Sequence, residues 1–435
     1  MKIKYVSIYL IFLMCAASSP VRSAAQTSEI DENLASQYFL EARQICNRDG
    51  GKLWGVSLCA PLLFVDPKTR IVVANQADKE GNLTKEADVF VGKLPTKINV
   101  ANTSIEWAGV EWAMIILPLP ADKFRRADLM IHESWHRVQD EIGFPGSGAG
   151  NNHLDSRDGR IWLQLEWRSL AAALGGRGKT RRRAIEDALL FRACRREIFP
   201  NAAVEERAME MHEGLAEYTG VKLGSPNSAR YIVDANLKDA ASRETFVRSF
   251  AYASGPAYGI LLDESKANWR KGLKKEDDLG VLLQRKFFIK LSSNIKQTAE
   301  NRAVIYDGDK LQAFETEREN NRRKVVAEYR AKLVDGAVLA LPLIKMNMQI
   351  NPGNLVPLAS FGTVYPTIRV VDSWGILTAS QGALINTDFS KIYVSAPPEA
   401  SASPIRGSGW TLELSEGWTL AVGERAGDYV VKKLK

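Results

Sequence analysis

Histidine and cysteine are scarce in this chain, with four of each among 435 residues. So few Cys exclude a disulfide-dense scaffold. No Cys-x-x-Cys pair occurs, which speaks against a thiolate zinc site or a dithiol redox site. Beyond residue 25 no stretch approaches roughly 18 consecutive apolar residues, so no stable transmembrane anchor is expected. Neither sign of charge is in large excess, with 58 Lys and Arg against 51 Asp and Glu. No internal repeat is visible. What remains, 45% hydrophobic and 25% charged residues, is the composition of an ordinary globular protein. Its length predicts two or three domains.

The first 25 residues read as an export signal. Lys2 and Lys4 precede an apolar run of 13 residues, Tyr5 to Ala17, and Ser23-Ala24-Ala25 offers small residues for cleavage. The mature protein is therefore expected in the periplasm or outside the cell. Removing Lys2, Lys4 and Arg22 lowers the net charge from +7 to 55 − 51 = +4. That is mild, and no nucleic-acid partner is expected. The cluster Arg177, Lys179, Arg181, Arg182 and Arg183 lacks interleaved aromatic residues and runs into a helical pattern with Glu186 and Asp187. It reads as a solvated helix start. In an oxidising compartment Cys46 and Cys59 could close a short loop, leaving Cys194 as a buried free thiol.

Three regions follow the signal at 1–25. Residues 26–120 predict a mixed α+β part, with a helix near 30–47 and strands at Pro61–Val65, Arg70–Ala74 and Gly109–Pro118. Asp66-Pro67-Lys68-Thr69 marks the turn between the first two. Residues 121–334 carry mostly helical periodicity, ending in a polar helix from Asp309 to Leu333 that could bridge two domains. Residues 335–435 change to short β-rich runs and predict an all-β, sandwich-like domain. There Trp410, Trp418 and Tyr429 could line a groove, but aromatics of this kind more often fill a core.

The strongest motif is His132-Glu133-Ser134-Trp135-His136. Its helix is predicted independently. Asp122 is an N-cap, Gly143 and Pro145 stop the pattern, and Phe124, Ile131, Trp135, Val138 and Ile142 form an apolar stripe. On that helix the two His lie one turn apart on one face, so both imidazoles can reach a single metal ion. Glu133 then sits where a general base would touch a metal-bound water. A third ligand is needed. Position 142 is Ile142 and position 139 is Gln139, which excludes the compact metzincin pattern. Glu213, late in a predicted helix from about Ala202 to Val221 stopped by Gly224, is the preferred candidate. Gly214 and Ala216 beside it are small enough for close helix packing. Glu217, four residues on, could orient a ligand His. Glu166, His153 and Glu217 itself are the alternatives as ligand. A bland alternative is that Glu206, Glu210, Glu213 and Glu217 form a solvated acidic stripe.

These residues resemble the gluzincin zinc metallopeptidases, and distantly their aminopeptidase N-like family. The matching strings are His132-Glu133-x-x-His136, Glu213-Gly-x-Ala-x-Tyr218 with His212 where that family has Asn, and Tyr252-Ala253-Ser254-Gly255. The resemblance spans about residues 104–265. It implies a mainly helical catalytic region and one zinc per chain held by His132, His136 and Glu213. Glu133 would be the base, and Tyr252 the oxyanion donor, with Tyr258 as fallback. Peptides or proteins would be the substrates. The interval from His136 to Glu213, 213 − 136 = 77 residues, is longer than is typical of that family. Its Gly-x-Met-Glu-Asn motif is absent, with only a faint echo in Gly109-Val110-Glu111-Trp112. Exopeptidase and endopeptidase action both remain open. A zinc hydrolase of non-peptide amides or esters, or an inactive secreted binding protein acting through its β-domain, are the competing expectations.

Overall fold

The structure is a computed structural model that describes residues 31–146, 150–265, 268–351, 354–399 and 404–434. The export signal expected at 1–25 lies outside the described residues. The architecture is mixed α and β, with strands first, helices in the middle and sheets at the end.

Asp31 caps helix α1 (Glu32–Asp49) by accepting the Leu34 N–H. Gly50, at φ 57°, ends it by returning its N–H to Cys46 O, the left-handed stop that glycine makes cheaply. Cys46 is disulfide-bonded to Cys59. Strands β1 (Leu62–Val65), β2 (Ile71–Ala74), β3 (Thr84–Glu86), β4 (Val89–Lys93), β5 (Thr103–Trp107) and β6 (Val110–Ile116) form one sheet in the order β3-β4-β2-β1-β6-β5. The β1–β2 hairpin turns where Asp66 accepts the Lys68 N–H and the Thr69 hydroxyl. β1 runs parallel to β6. Its residues alternate between two cores. Leu62 and Phe64 join α1, and Leu63 and Val65 join Trp107, Trp112 and Met114.

The helices are α2 (Lys123–Val138), α3 (Arg157–Gly175), α4 (Gly178–Ile198), α5 (Ala202–Met209), α6 (Leu215–Gly224), α7 (Ala229–Ala240), α8 (Ala251–Asp263), α9 (Leu279–Lys286), α10 (Ile295–Ala303) and α11 (Gly308–Arg330). Most share one core around Trp135, Trp167, Tyr218 and Phe250. Buried Cys194 joins a smaller cluster on α4. The basic run at the start of α4 is spent locally. Arg181 meets Glu264, Arg182 donates to the Phe287 and Phe288 carbonyls, and Arg183 meets Glu186. α11 spans two bodies. Its buried Glu315 and Glu319 bind Arg160 of α3, while Val326 and Tyr329 pack on Val364 and Leu384.

The C-terminal strands are β7 (Val338–Pro342), β8 (Asn347–Ile350), β9 (Val356–Pro357), β10 (Thr363–Tyr365), β11 (Ile368–Asp372), β12 (Gly375–Ala379), β13 (Ala383–Ile385), β14 (Lys391–Ser395), β15 (Ile405–Gly407), β16 (Trp410–Leu414), β17 (Trp418–Val422) and β18 (Tyr429–Lys433). They form a seven-stranded sheet, β17-β18-β7-β14-β13-β10-β9, and a five-stranded sheet, β15-β16-β12-β11-β8. Leu339, Leu341 and Ile392 of the first share a core with Val370, Leu377 and Leu412 of the second. Trp410 is buried in that core, and Trp418 and Tyr429 pack against it. Trp410 is thus a core residue, and Trp418 and Tyr429 are half-buried beside it.

Candidate metal centre

Asp122 caps α2 by accepting the Phe124 and Arg125 N–H groups. The buried Ile131, Trp135 and Val138 pin the helix to the main core. The opposite turn presents His132, Glu133 and His136. The two Nε2 atoms lie 3.0 Å apart. Each ring is held from behind. His132 Nδ1 lies 2.9 Å from Glu217 Oε2, and His136 Nδ1 lies 2.9 Å from Gln139 Oε1. Both partners offer an oxygen, so with Nδ1 as the donor each Nε2 is left to ligate a metal.

The segment predicted as one helix from about 202 to 221 is interrupted. Between α5 and α6, Glu210–Gly214 takes a π turn, an irregularity common at functional sites. Glu213 lies in this turn. Gly214 explains the close approach from α8, because a Cβ there would sit 3.0 Å from Gly255 Cα. Gly220 does the same toward α2, where a Cβ would sit 2.6 Å from the Asp128 carbonyl oxygen. Together they bring Glu213 Oε2 within 3.6 Å of His132 Nε2 and 3.4 Å of His136 Nε2.

Other groups crowd this point. Tyr252 donates its hydroxyl to Glu213 Oε2 at 2.7 Å. His212 Nδ1 lies 3.2 Å from Glu213 Oε1, and Arg248 Nη2 lies 3.4 Å from the same oxygen. Glu133 is buried, and its Oε2 has no hydrogen-bond partner among the described residues. Burial lifts the Glu133 carboxyl above the ordinary carboxylate range, opposed by His132 and His136. Burial acts on Glu213 in the same direction but loses. His132, His136 and His212 hold it well below that range. Burial, then the Glu213 charge, raise the Tyr252 hydroxyl well above its usual value, so it stays a donor.

The sequence alternatives lie elsewhere. His153 is engaged by Glu206 at 3.0 Å and Glu205 at 3.4 Å. Glu166 is fully buried against Arg192 and Arg195, and Tyr258 donates to it at 2.7 Å. Glu206 and Glu210 are also fully buried, bound to Arg195 and Arg192. The acidic residues therefore do not form a solvated stripe. Gln139 and Asp128 were missed from the sequence. Their only signal was position, Gln139 three residues after His136 and Asp128 four before His132. Asp128 places its carboxyl beside Glu217, and burial followed by the Glu217 charge raises it well above the usual range.

The donor set fits a cation. Ligand atoms of His132, His136 and Glu213 lie within 4.8 Å of one another. Tetrahedral coordination at about 2.0–2.1 Å separates ligand atoms by about 3.3–3.4 Å. The separations here are 3.0, 3.4 and 3.6 Å, which bracket that edge. Two imidazole nitrogens and a carboxylate facing one point could share a cation between them.

The site opens into a cleft of about 1570 Å³. All three regions line it: Ser104 and Ile105 from β5, the α2 and α6 side chains, and Asn347 to Ile350 from β8. No protein-family model matches the chain, and no curated protein or solved structure matches it. No helix among the described residues is long and apolar enough to cross a membrane.

Proposed function

We propose that the chain is an exported zinc metallopeptidase of gluzincin type. One observation carries the reading. His132, His136 and Glu213 bring three possible ligand atoms together, beside a buried Glu133 oxygen that no group among the described residues satisfies. His132, His136 and Glu213 would hold one zinc, and Glu217 and Gln139 fix the two imidazoles for it. Zinc bound there would supply a Lewis acid for the scissile carbonyl and acidify water. Glu133 takes a proton at its carboxylate from the attacking water and delivers it to the leaving amine nitrogen. The Tyr252 O–H donates toward the oxygen on which negative charge develops. Peptides are favoured over small amides or esters because about 1570 Å³ exceeds the roughly 300–1,000 Å³ of small-molecule sites.

The test is zinc content and peptidase activity of mature protein, residues 26–435, beside Glu213→Ala and Glu133→Gln. About one zinc per chain, weakened by Glu213→Ala, with peptide cleavage abolished by Glu133→Gln but zinc retained, is the expected result. A wild-type protein that refuses zinc, or one whose activity ignores Glu133→Gln, sinks the reading. The β region would then become the place to look for function.

A further inference from the structure

The catalytic chemistry leaves the C-terminal strands without a task, yet four consecutive residues of β8 line the same cleft as His132 and Glu133. The strand order β15-β16-β12-β11-β8 puts β8 at the sheet edge, paired on one side with β11 through Met348↔Val370 and Ile350↔Ile368. In an antiparallel edge strand, alternate residues aim their N–H and C=O groups away from the sheet. Met348 and Ile350 pack toward the inter-sheet core. Asn347 and Gln349, which alternate with them, share the other face with Arg369.

Exposed edges are ordinarily guarded by charge, proline or brevity. β3 carries Lys85 and Glu86, β9 is two residues long with Pro357, and β15 is three residues with Arg406. β8 reads Asn-Met-Gln-Ile, without charge or proline. β17 is similarly unguarded, but it does not line the cleft, and β5, the edge of the first sheet that does line it, carries Glu106.

β8 is also held in place. Asn347 Oδ1 accepts from Asn99 Nδ2 at 2.8 Å. Arg369 of β11 donates to Asn99 Oδ1 and, at 2.9 Å, to Thr96 O. The turn before β5 and the edge of the C-terminal sheet are thus latched together. An edge fixed before binding loses little entropy when it pairs.

We propose that β8 is a substrate-binding strand: an extended stretch of the polypeptide substrate adds to the five-stranded sheet through main-chain hydrogen bonds to Asn347–Ile350. The pairing is strand addition, in which backbone bonds give affinity and alternate side-chain contacts give preference. Gln349 and Asn347 then lie beside alternate substrate side chains. This rests on the peptidase reading, and it gives the C-terminal sheets a part in selecting unfolded or extended chains over folded ones.

The test uses the full mature chain and casein, an unstructured polypeptide. Zinc-loaded Glu133→Gln protein is mixed with casein, and amide hydrogen exchange is followed along the chain. Slowed exchange in the 347–350 peptide is expected. Separately, Met348→Pro and Gln349→Pro remove successive N–H groups, one facing β11 and one facing the cleft. Proline is tolerated at an edge where the N–H faces out. One of the two should keep the wild-type thermal midpoint and zinc content while kcat/KM for casein falls about tenfold through KM. If wild type cleaves casein but 347–350 shows no protection and neither proline variant alters KM, the strand proposal is overturned and the peptidase reading stands. If wild type cleaves no polypeptide, both fall.

Discussion

Tyr252 lies flat against His132, with ring centroids 5.5 Å apart and planes within 4°. Its hydroxyl reaches past that ring to Glu213. One side chain therefore does two separable things, packing a proposed ligand and presenting a donor. Tyr252→Phe keeps the stack and loses the donor. Loss of a comparable oxyanion donor costs about 10²–10³ in kcat. We expect that fall with zinc content unchanged, measured by initial rates and metal analysis on the same preparation. Zinc loss in Tyr252→Phe would show that the hydroxyl positions Glu213 instead.

Glu217 and Gln139 touch the His132 and His136 Nδ1 atoms from behind the site. Losing such a partner typically costs 10–100-fold in metal affinity or activity. Glu217→Ala should weaken zinc retention about 10–100-fold against a competing chelator. Gln139→Ala should have the smaller effect, because a neutral amide stabilises the Nδ1–H less than a carboxylate does. Equal effects would argue that charge at Glu217 is irrelevant.

Much of this centre is legible in the sequence, and the rest is hidden for physical reasons. The α2 helix follows from its Asp122 cap and apolar stripe, which are local. Glu213 could be chosen because Gly214 in a helix needs a packing reason, and Gly255 supplies it. The π turn is not readable. It sits where Glu210 meets Arg192 of α4 and Gly214 meets α8, contacts distant in sequence. Asp128 looks like an ordinary helix polar residue until α6 brings Glu217 beside it, and Gln139 does so until His136 is taken as a ligand. Glu206 and Glu210 could pass as a solvated stripe because their partners Arg192 and Arg195 lie on another helix. The parallel pairing of β1 with β6 and the arrival of β8 at the cleft are likewise non-local. The chain between these elements carries no periodicity that would announce either pairing.

Glycine spacing between α2 and α6 gives a packing prediction. Gly220→Ala would drive a methyl into the Asp128 backbone, and overpacking of this kind costs about 1–3 kcal/mol. Its thermal midpoint should fall, and zinc retention with it, because α6 carries Glu217 and follows Glu213. Gly175→Ala is the control. A Cβ there meets nothing within 4 Å, so stability should hold or rise by about 0.5–1 kcal/mol. A Gly220→Ala protein as stable as the control would refute the tight α2–α6 contact.

The Cys46–Cys59 bond joins the last turn of α1 to the segment before β1 across 13 residues. Closing a loop of about this length stabilises by roughly 3 kcal/mol in the chain-entropy picture. Cys46→Ala/Cys59→Ala should lower unfolding free energy by about 2–4 kcal/mol in urea titrations. Zinc content should be kept, because neither residue touches the metal-site side chains. Reductant should shift wild type toward the variant and leave the variant unmoved.

Glu206 gives the acid-stability prediction. It is fully buried, with Arg195, Arg196 and His153 around it. Burial would raise its carboxyl, but Arg195 foremost, then His153 and Arg196, hold it well below the ordinary range. A carboxyl depressed in the folded state adds stability above its unfolded pKa of about 4.3. That stability is lost as pH falls from there toward the folded value. Wild type should therefore lose stability progressively below about pH 5, read by urea midpoints at a series of pH values. Glu206→Gln carries no titrating proton. Its stability should be lower at neutral pH, by less than the roughly 3–5 kcal/mol that an unpaired buried charge costs, since buried Arg195 loses Glu206 but keeps Glu166. Its acid slope should also be shallower than that of wild type. Parallel slopes would show that Glu206 is not a source of the acid sensitivity, whatever the drop at neutral pH.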